Sequence, residues 1–207
     1  MKKLLQKNTF LFKEHVGLLK ASNNYDVYDP QTNEIILYCR EKNLNPFYKI
    51  VRLLLTDFKS MTPFEIEVSG LDGKKVIKVK KGLSLVLSKI EVFDENDKLI
   101  GIFKQKLFPL GNNFEMFDDK GDFVSKLDGS LIAWNFKFLK DKNTIATVTK
   151  KWSGIGKELF TSADNYVLDI NDSVERTSPL RRLIFGAVIC IDICLLYTSP
   201  SPRDFTE

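Results

Sequence analysis

This chain of 207 residues has one histidine, three cysteines and no apolar run as long as a bilayer is thick. Each shortage excludes something. With His15 alone, neither a Ser-His-Asp triad nor a histidine-based metal site can be assembled. Cys39, Cys190 and Cys194 form no C-x-x-C pair and are odd in number. A disulfide framework and a zinc site are therefore not expected, which suits a reducing compartment. Cys39 and Cys190 stand in apolar sequence without an activating base, so they read as inert thiols. The longest apolar run, residues 183–197, has fifteen residues and contains Asp192. A transmembrane helix needs about 20 and tolerates a central charge badly. Lys2 and Lys3 open the chain as a signal peptide would, but Gln6, Lys7 and Asn8 break the apolar stretch that must follow. A cytoplasmic location is expected. "SGIGKE" holds Gly154, Gly156 and Lys157 without the spacing or the Ser/Thr of a phosphate loop. No catalytic constellation emerges, and the chain is not expected to be an enzyme.

What is present is ordinary for one globular domain: 43% apolar and 28% charged residues. The net charge of +4 permits an anionic partner without requiring one, and nothing indicates nucleic acid. The sixteen phenylalanines recur in alternating runs, which favours strands. In "PFEIEVSG", Phe64, Ile66 and Val68 take one face and Glu65 and Glu67 the other. In "IAWNFKF", Ile132, Trp134, Phe136 and Phe138 point inward. "LDGKK", "FDENDK", "DDKGD" and "KDKNT" read as hairpin turns stabilised by their own Asp and Asn side chains rather than as calcium loops.

Two helices interrupt this pattern. Asn45 caps the first and Pro46 sits in its first turn, with Ile50, Leu54 and Phe58 at helical spacing. Ser178 caps the second and Pro179 opens it. Beyond Arg182 it is apolar all round, the mark of a helix enclosed on every side. An enclosed helix over residues 181–193 is expected, with Asp192 at an open end or paired with a polar group. Roughly ten strands must also pair edge to edge, which points to a sandwich or closed barrel. A barrel wide enough to hold a helix meets both demands. Residues 194–204, "CLLYTSPSPRD", resemble a translated sequencing adapter. Residues 1–193 are therefore read as a single domain and 194–207 as a non-native tail.

Several segments in order, "VGLLKASNNYDVYDPQTNEIILYCRE", "DGKKVIKV", "DKLIGIFKQ", "KWSGIGKELFTSADNYVLDI" and "LIFGAVICID", resemble the phospholipid scramblase family. That family is grouped with the LURP-one-related proteins in the Tubby C-terminal-like superfamily. The resemblance implies a mainly β fold: a closed antiparallel barrel of about twelve strands around a central C-terminal hydrophobic helix. It implies a scramblase-like, membrane-associated, lipid-binding barrel without covalent chemistry, peripheral at the inner face of the membrane. The alternative is a soluble protein-interaction or signalling barrel of LURP-one-related type. The family's palmitoylated cysteine cluster and proline-rich N-terminal region have no counterpart, which argues against stable lipid anchoring.

The resemblance also names two candidate sites. Residues 161–172 align with the family's calcium-loop region, where Asp164, Asp169 and Asp172, with Asn165, are the candidate ligands of a weak site. Ser162 stands where stronger loops carry an acid. The competing reading of the same stretch is an ordinary strand with Tyr166, Leu168 and Ile170 inward and Asp169 outward. No other cofactor is implied. The second site is the lysine group Lys74, Lys75, Lys78, Lys80 and Lys81, of which Lys74, Lys78 and Lys80 share a face with Val76 while Ile77 and Val79 take the other. Anionic phospholipid headgroups are the implied partners of Lys74, Lys78 and Lys80. The competing reading is an edge strand blunted by lysine. Membrane contact through lysines alone would be weak and sensitive to salt.

Overall fold

A computed structural model describes residues 4–15, 22–43, 45–54, 61–83, 89–106, 113–130, 135–150 and 165–195. Twelve strands follow one another: β1 (Thr9–Glu14), β2 (Tyr25–Asp29), β3 (Glu34–Glu41), β4 (Phe64–Gly70), β5 (Lys75–Lys81), β6 (Lys89–Asp94), β7 (Leu99–Lys106), β8 (Asn113–Asp118), β9 (Phe123–Ser130), β10 (Asn135–Lys140), β11 (Asn143–Thr149) and β12 (Asn165–Ile170). Each pairs antiparallel with its sequence neighbours, and β1 pairs with β12, so the sheet closes on itself. Closure removes both edges. Helix α1 (Pro46–Leu54) lies between β3 and β4, and α2 (Pro179–Leu195) follows β12.

Antiparallel succession gives the barrel two unlike ends. One carries the tight hairpins. There Asp94 and Asp118 accept hydrogen bonds from backbone N–H groups two and four residues on, and Asp72 from the one two residues on. Gly73 and Gly121 supply the positive φ. These turns are built as the sequence indicates. The other end carries the longer connections, α1 among them.

Helix α2 enters from the hairpin end. Ser178 Oγ accepts the Leu180 N–H at 3.2 Å, the expected cap. Buried Arg181 then donates to the carbonyls of Leu5, Val174 and Lys7, and Arg182 pairs with Glu95 at 2.7 Å. Beyond these two residues the helix touches opposite walls of the barrel. Phe185 meets Phe10 and Phe12 of β1 at ring distances of 5.4 and 4.9 Å. A Cβ built on Gly186 would lie 3.2 Å from Val92 of β6 and 3.4 Å from Val79 of β5. Ile184, Phe185, Val188 and Ile189 are wholly buried. The enclosed helix anticipated over residues 181–193 is therefore present, and it runs on to Leu195. Its opposite flank faces Phe103, Phe114, Met116, Leu127 and Phe138 across a gap of about 10 Å³, too small to hold a water molecule comfortably. The Asp192 side chain and residues 196–207, most of the suspected tail, lie outside the described residues.

The strand reading holds for most of the body. Phe64, Ile66 and Val68 are buried, as are Phe136 and Phe138. Ile132, Trp134 and Phe58 lie outside the described residues. Cys39 and Cys190 are buried and free. Burial pushes the Cys39 thiol well above its ordinary pKa, and the Cys190 thiol donates to the Gly186 carbonyl at 3.2 Å. Both are placed as inert groups.

Candidate functional site

The lysine strand β5 departs from simple alternation. Ser69 of β4 pairs with Lys75 but Val68 pairs with Ile77, so Val76 is an extra residue, a β-bulge. The bulge returns Val76 to the core, against the expectation that it shares the outer face with the lysines. It also puts Lys75, not Lys74, in the outward row with Lys78 and Lys80. Lys74 sits in the preceding turn, 3.3 Å from Asp72. Lys81, counted with the basic group from sequence, turns inward, and its Nζ donates to the Thr62 carbonyl at 3.3 Å.

The outward row is not a free basic patch. Lys75 and Lys78 both reach Asp97, at 2.7 and 2.5 Å. Hydrogen bonds from Lys75 and Lys78 hold the Asp97 carboxyl down to about 2, so it stays charged at any physiological pH. Lys78 also lies over the Phe93 ring, 5.0 Å from its centre. Lys80 stands between Glu65 of β4 and Glu91 of β6 in the register. Sequence alone could not reveal this, because the acids beside the row belong to β4, to β6 and to the turn between β6 and β7.

Lys80 differs from the other two in its place. It is exposed and lies at the long-connection end, on a cleft of about 150 Å³ shared with Lys42, Lys81 and Tyr48. Tyr48 belongs to α1, which is built inside out. Asn45 Oδ1 accepts the Phe47 N–H at 2.9 Å, so the cap is as expected. The apolar spacing that marks this helix, however, does not seat it in a core. Its buried residue is Arg52. The guanidinium donates to both carboxylate oxygens of Glu41 at 2.8 Å, to Thr62 Oγ1 at 2.7 Å and to the Pro63 carbonyl at 2.7 Å. Glu41 also accepts from the Asn23 backbone and side chain. Phe47, Ile50, Leu53 and Leu54 face outward, 66%, 56%, 43% and 76% exposed. A helical pattern shows which residues share a face but not which face is inward. The signal was the single arginine across the axis from the apolar stripe.

In the acidic segment, Asp169 is exposed on β12 while Tyr166, Leu168 and Ile170 are buried, which is the strand arrangement. Asp169 accepts from Thr9 Oγ1 at 3.1 Å and Asp172 from Asn8 Nδ2 at 2.6 Å. Asn165 is buried. Asp164 lies outside the described residues. Among the described residues no three acidic, histidine or cysteine side chains gather to hold a metal ion. His15 pairs with Asp26 at 2.8 Å on the surface. Also among the described residues, no helix is long and apolar enough to cross a membrane.

Three comparisons bear on these surfaces. A family model described as Scramblase matches residues 9–197, which take in the whole barrel and α2. The chain is 23% identical over 145 residues to phospholipid scramblase 2 of Bos taurus, covering 63% of this chain and 49% of that protein. It is 23% identical over 154 residues to phospholipid scramblase 1 of Homo sapiens, covering 67% and 48%. Phospholipid scramblase family member 5 of Homo sapiens is 22% identical over 142 residues, covering 61% and 52%. The chain thus spans about half the length of these relatives. No solved structure matches it.

Proposed function

The chain belongs to the scramblase family, and from that membership we propose that it is a membrane-associated barrel that binds anionic phospholipid and does no covalent chemistry. One observation of the structure carries the reading: the lumen is filled by α2, so lipid must be met on the outer surface. That surface is not a spanning band. Outward positions on β4, β5 and β6 carry Glu65, Glu67, Lys78, Lys80 and Glu91, where a transmembrane barrel carries apolar side chains. Contact is therefore peripheral, at the inner leaflet where anionic headgroups concentrate. Any lipid movement comes from lowering the barrier for a headgroup at that surface. LURP-one-type interaction with a protein becomes the better reading if vesicles are not bound.

Co-sedimentation with vesicles of mixed phosphatidylserine and phosphatidylcholine tests this. Binding is expected, and neutralising Lys74, Lys78 and Lys80 together should weaken it. Lys80→Gln alone should account for most of the loss, about fivefold, since one lysine near an anionic leaflet contributes about 1 kcal/mol. Lys74 and Lys78 are already held by Asp72 and Asp97. Calcium should change little, because a cation at Asp169 and Asp172 competes with Thr9 and Asn8. A strong calcium requirement that disappears in Asp164→Ala would instead make residues 161–172 a calcium site. Equal binding by wild type and the triple variant would reject these lysines as headgroup contacts.

A further inference from the structure

Among the described residues seven large apolar side chains are exposed, and five of them lie at one end of the barrel. Four are Phe47, Ile50, Leu53 and Leu54 of α1. The fifth, Leu83, lies on the connection leaving β5 at the same end. At 3.6 residues per turn the four helical positions form one stripe, with Arg52 across the axis. The fold holds that stripe outward with a buried ion pair rather than leaving the helix free to roll. Arg52 and Glu41 have side chains 1% and 0% exposed. Rolling the apolar face inward would carry the guanidinium away from Glu41, Thr62 and the Pro63 carbonyl and leave the Glu41 carboxylate buried without its cation.

Charge identifies the occupant. The helix has no acidic residue, and Lys49 is exposed at the border of the stripe. Exposed Lys42, a loose 4.0 Å from Glu67, and Lys80, opposite Glu65 in the register, flank it across the Tyr48 cleft. An apolar stripe bordered by lysines is complementary to an anionic lipid surface, where acyl chains lie just beneath negative headgroups. Given the membrane reading above, on which this rests, we infer that α1 is the element that enters the bilayer. It lies in the interfacial plane with Phe47, Ile50, Leu53 and Leu54 below the headgroups and Lys42, Lys49 and Lys80 among the phosphates. Lysine contact is screened by salt, but burial of these side chains is not. Part of the binding therefore survives at high salt.

The test uses the full chain, the mixed anionic vesicles above, and the variant Ile50→Ser/Leu54→Ser. Both side chains are exposed, so the melting temperature should hold, which calorimetry checks. Vesicle affinity is expected to fall roughly tenfold or more, with the salt-resistant fraction removed, because about two exposed aliphatic side chains lose their burial. A polarity-sensitive dye on Leu54→Cys, in a Cys194→Ser background, should shift to the blue on vesicles; Cys39 and Cys190 are buried and leave the label at one position. If the wild type binds and the double variant binds equally, insertion by α1 is overturned while the membrane reading stands. If the wild type binds no vesicles, both fall. Self-association of the wild type that the serines abolish, with vesicle binding unchanged, assigns the stripe to a second copy and also overturns the inference.

Discussion

Phe185→Ala is expected to lower the unfolding free energy by about 3–5 kcal/mol, the usual cost of truncating a fully buried phenylalanine. The residue sits on α2 with no exposed surface, edge-on to Phe10 and tilted against Phe12. Phe12 in turn stacks on Tyr166 of β12 at 5.1 Å. Removing the ring empties the seam where the barrel closes, between β1 and β12. Strand backbones on both sides are fixed by their ladders, so the space cannot easily collapse. For a domain of this size the melting temperature should fall by about 10 °C. Chemical denaturation followed by circular dichroism measures it. A change within error would mean that α2 does not pack inside the barrel.

Arg52→Leu should be comparably costly, about 3–5 kcal/mol, for a different reason. The loss is not of packing but of the cation that compensates Glu41, whose side chain has no exposed surface. Among the described residues, the Glu41 carboxylate would keep only the Asn23 donors. Arg52→Leu/Glu41→Leu removes both charges and should recover much of the loss, since a buried pair replaced as a unit is often neutral. Denaturant midpoints of the two single variants and the double complete the cycle. Equal destabilisation in the single and double variants would show that the pair does not set the position of α1.

The fold was legible in the sequence where one constraint acted alone. Alternation in β4 and β10, Asp-led turns and the cap at Ser178 are local patterns, and each forms as read. A count of strands and the need to house an all-apolar helix point to a barrel, while the number twelve is what the family resemblance implies. Reading failed where two segments decide together. The bulge at Val76 depends on how β4 meets β5, and it moved the lysine row by one residue. The charge of that row depends on Glu65, Glu91 and Asp97, residues brought beside it only by pairing. The orientation of α1 depends on Glu41, at the end of β3, and Thr62, just ahead of β4. Periodicity gives a stripe its width and spacing, but the side on which the core lies is set by a partner remote in sequence.

If the protein meets lipid at its outer surface as proposed, α2 stays inside the barrel throughout. A disulfide staple holds it there. The Cβ position of residue 186 lies 3.2 Å from a Val92 methyl, close enough for a disulfide between Gly186→Cys and Val92→Cys. In a background with Cys39, Cys190 and Cys194 replaced, oxidation would fix the helix to the β6 wall. Vesicle affinity is then measured with and without reductant. Equal affinity in the two states is the predicted result. Binding lost on oxidation and restored by reduction would show that α2 must leave the barrel to reach the membrane, which contradicts the claim.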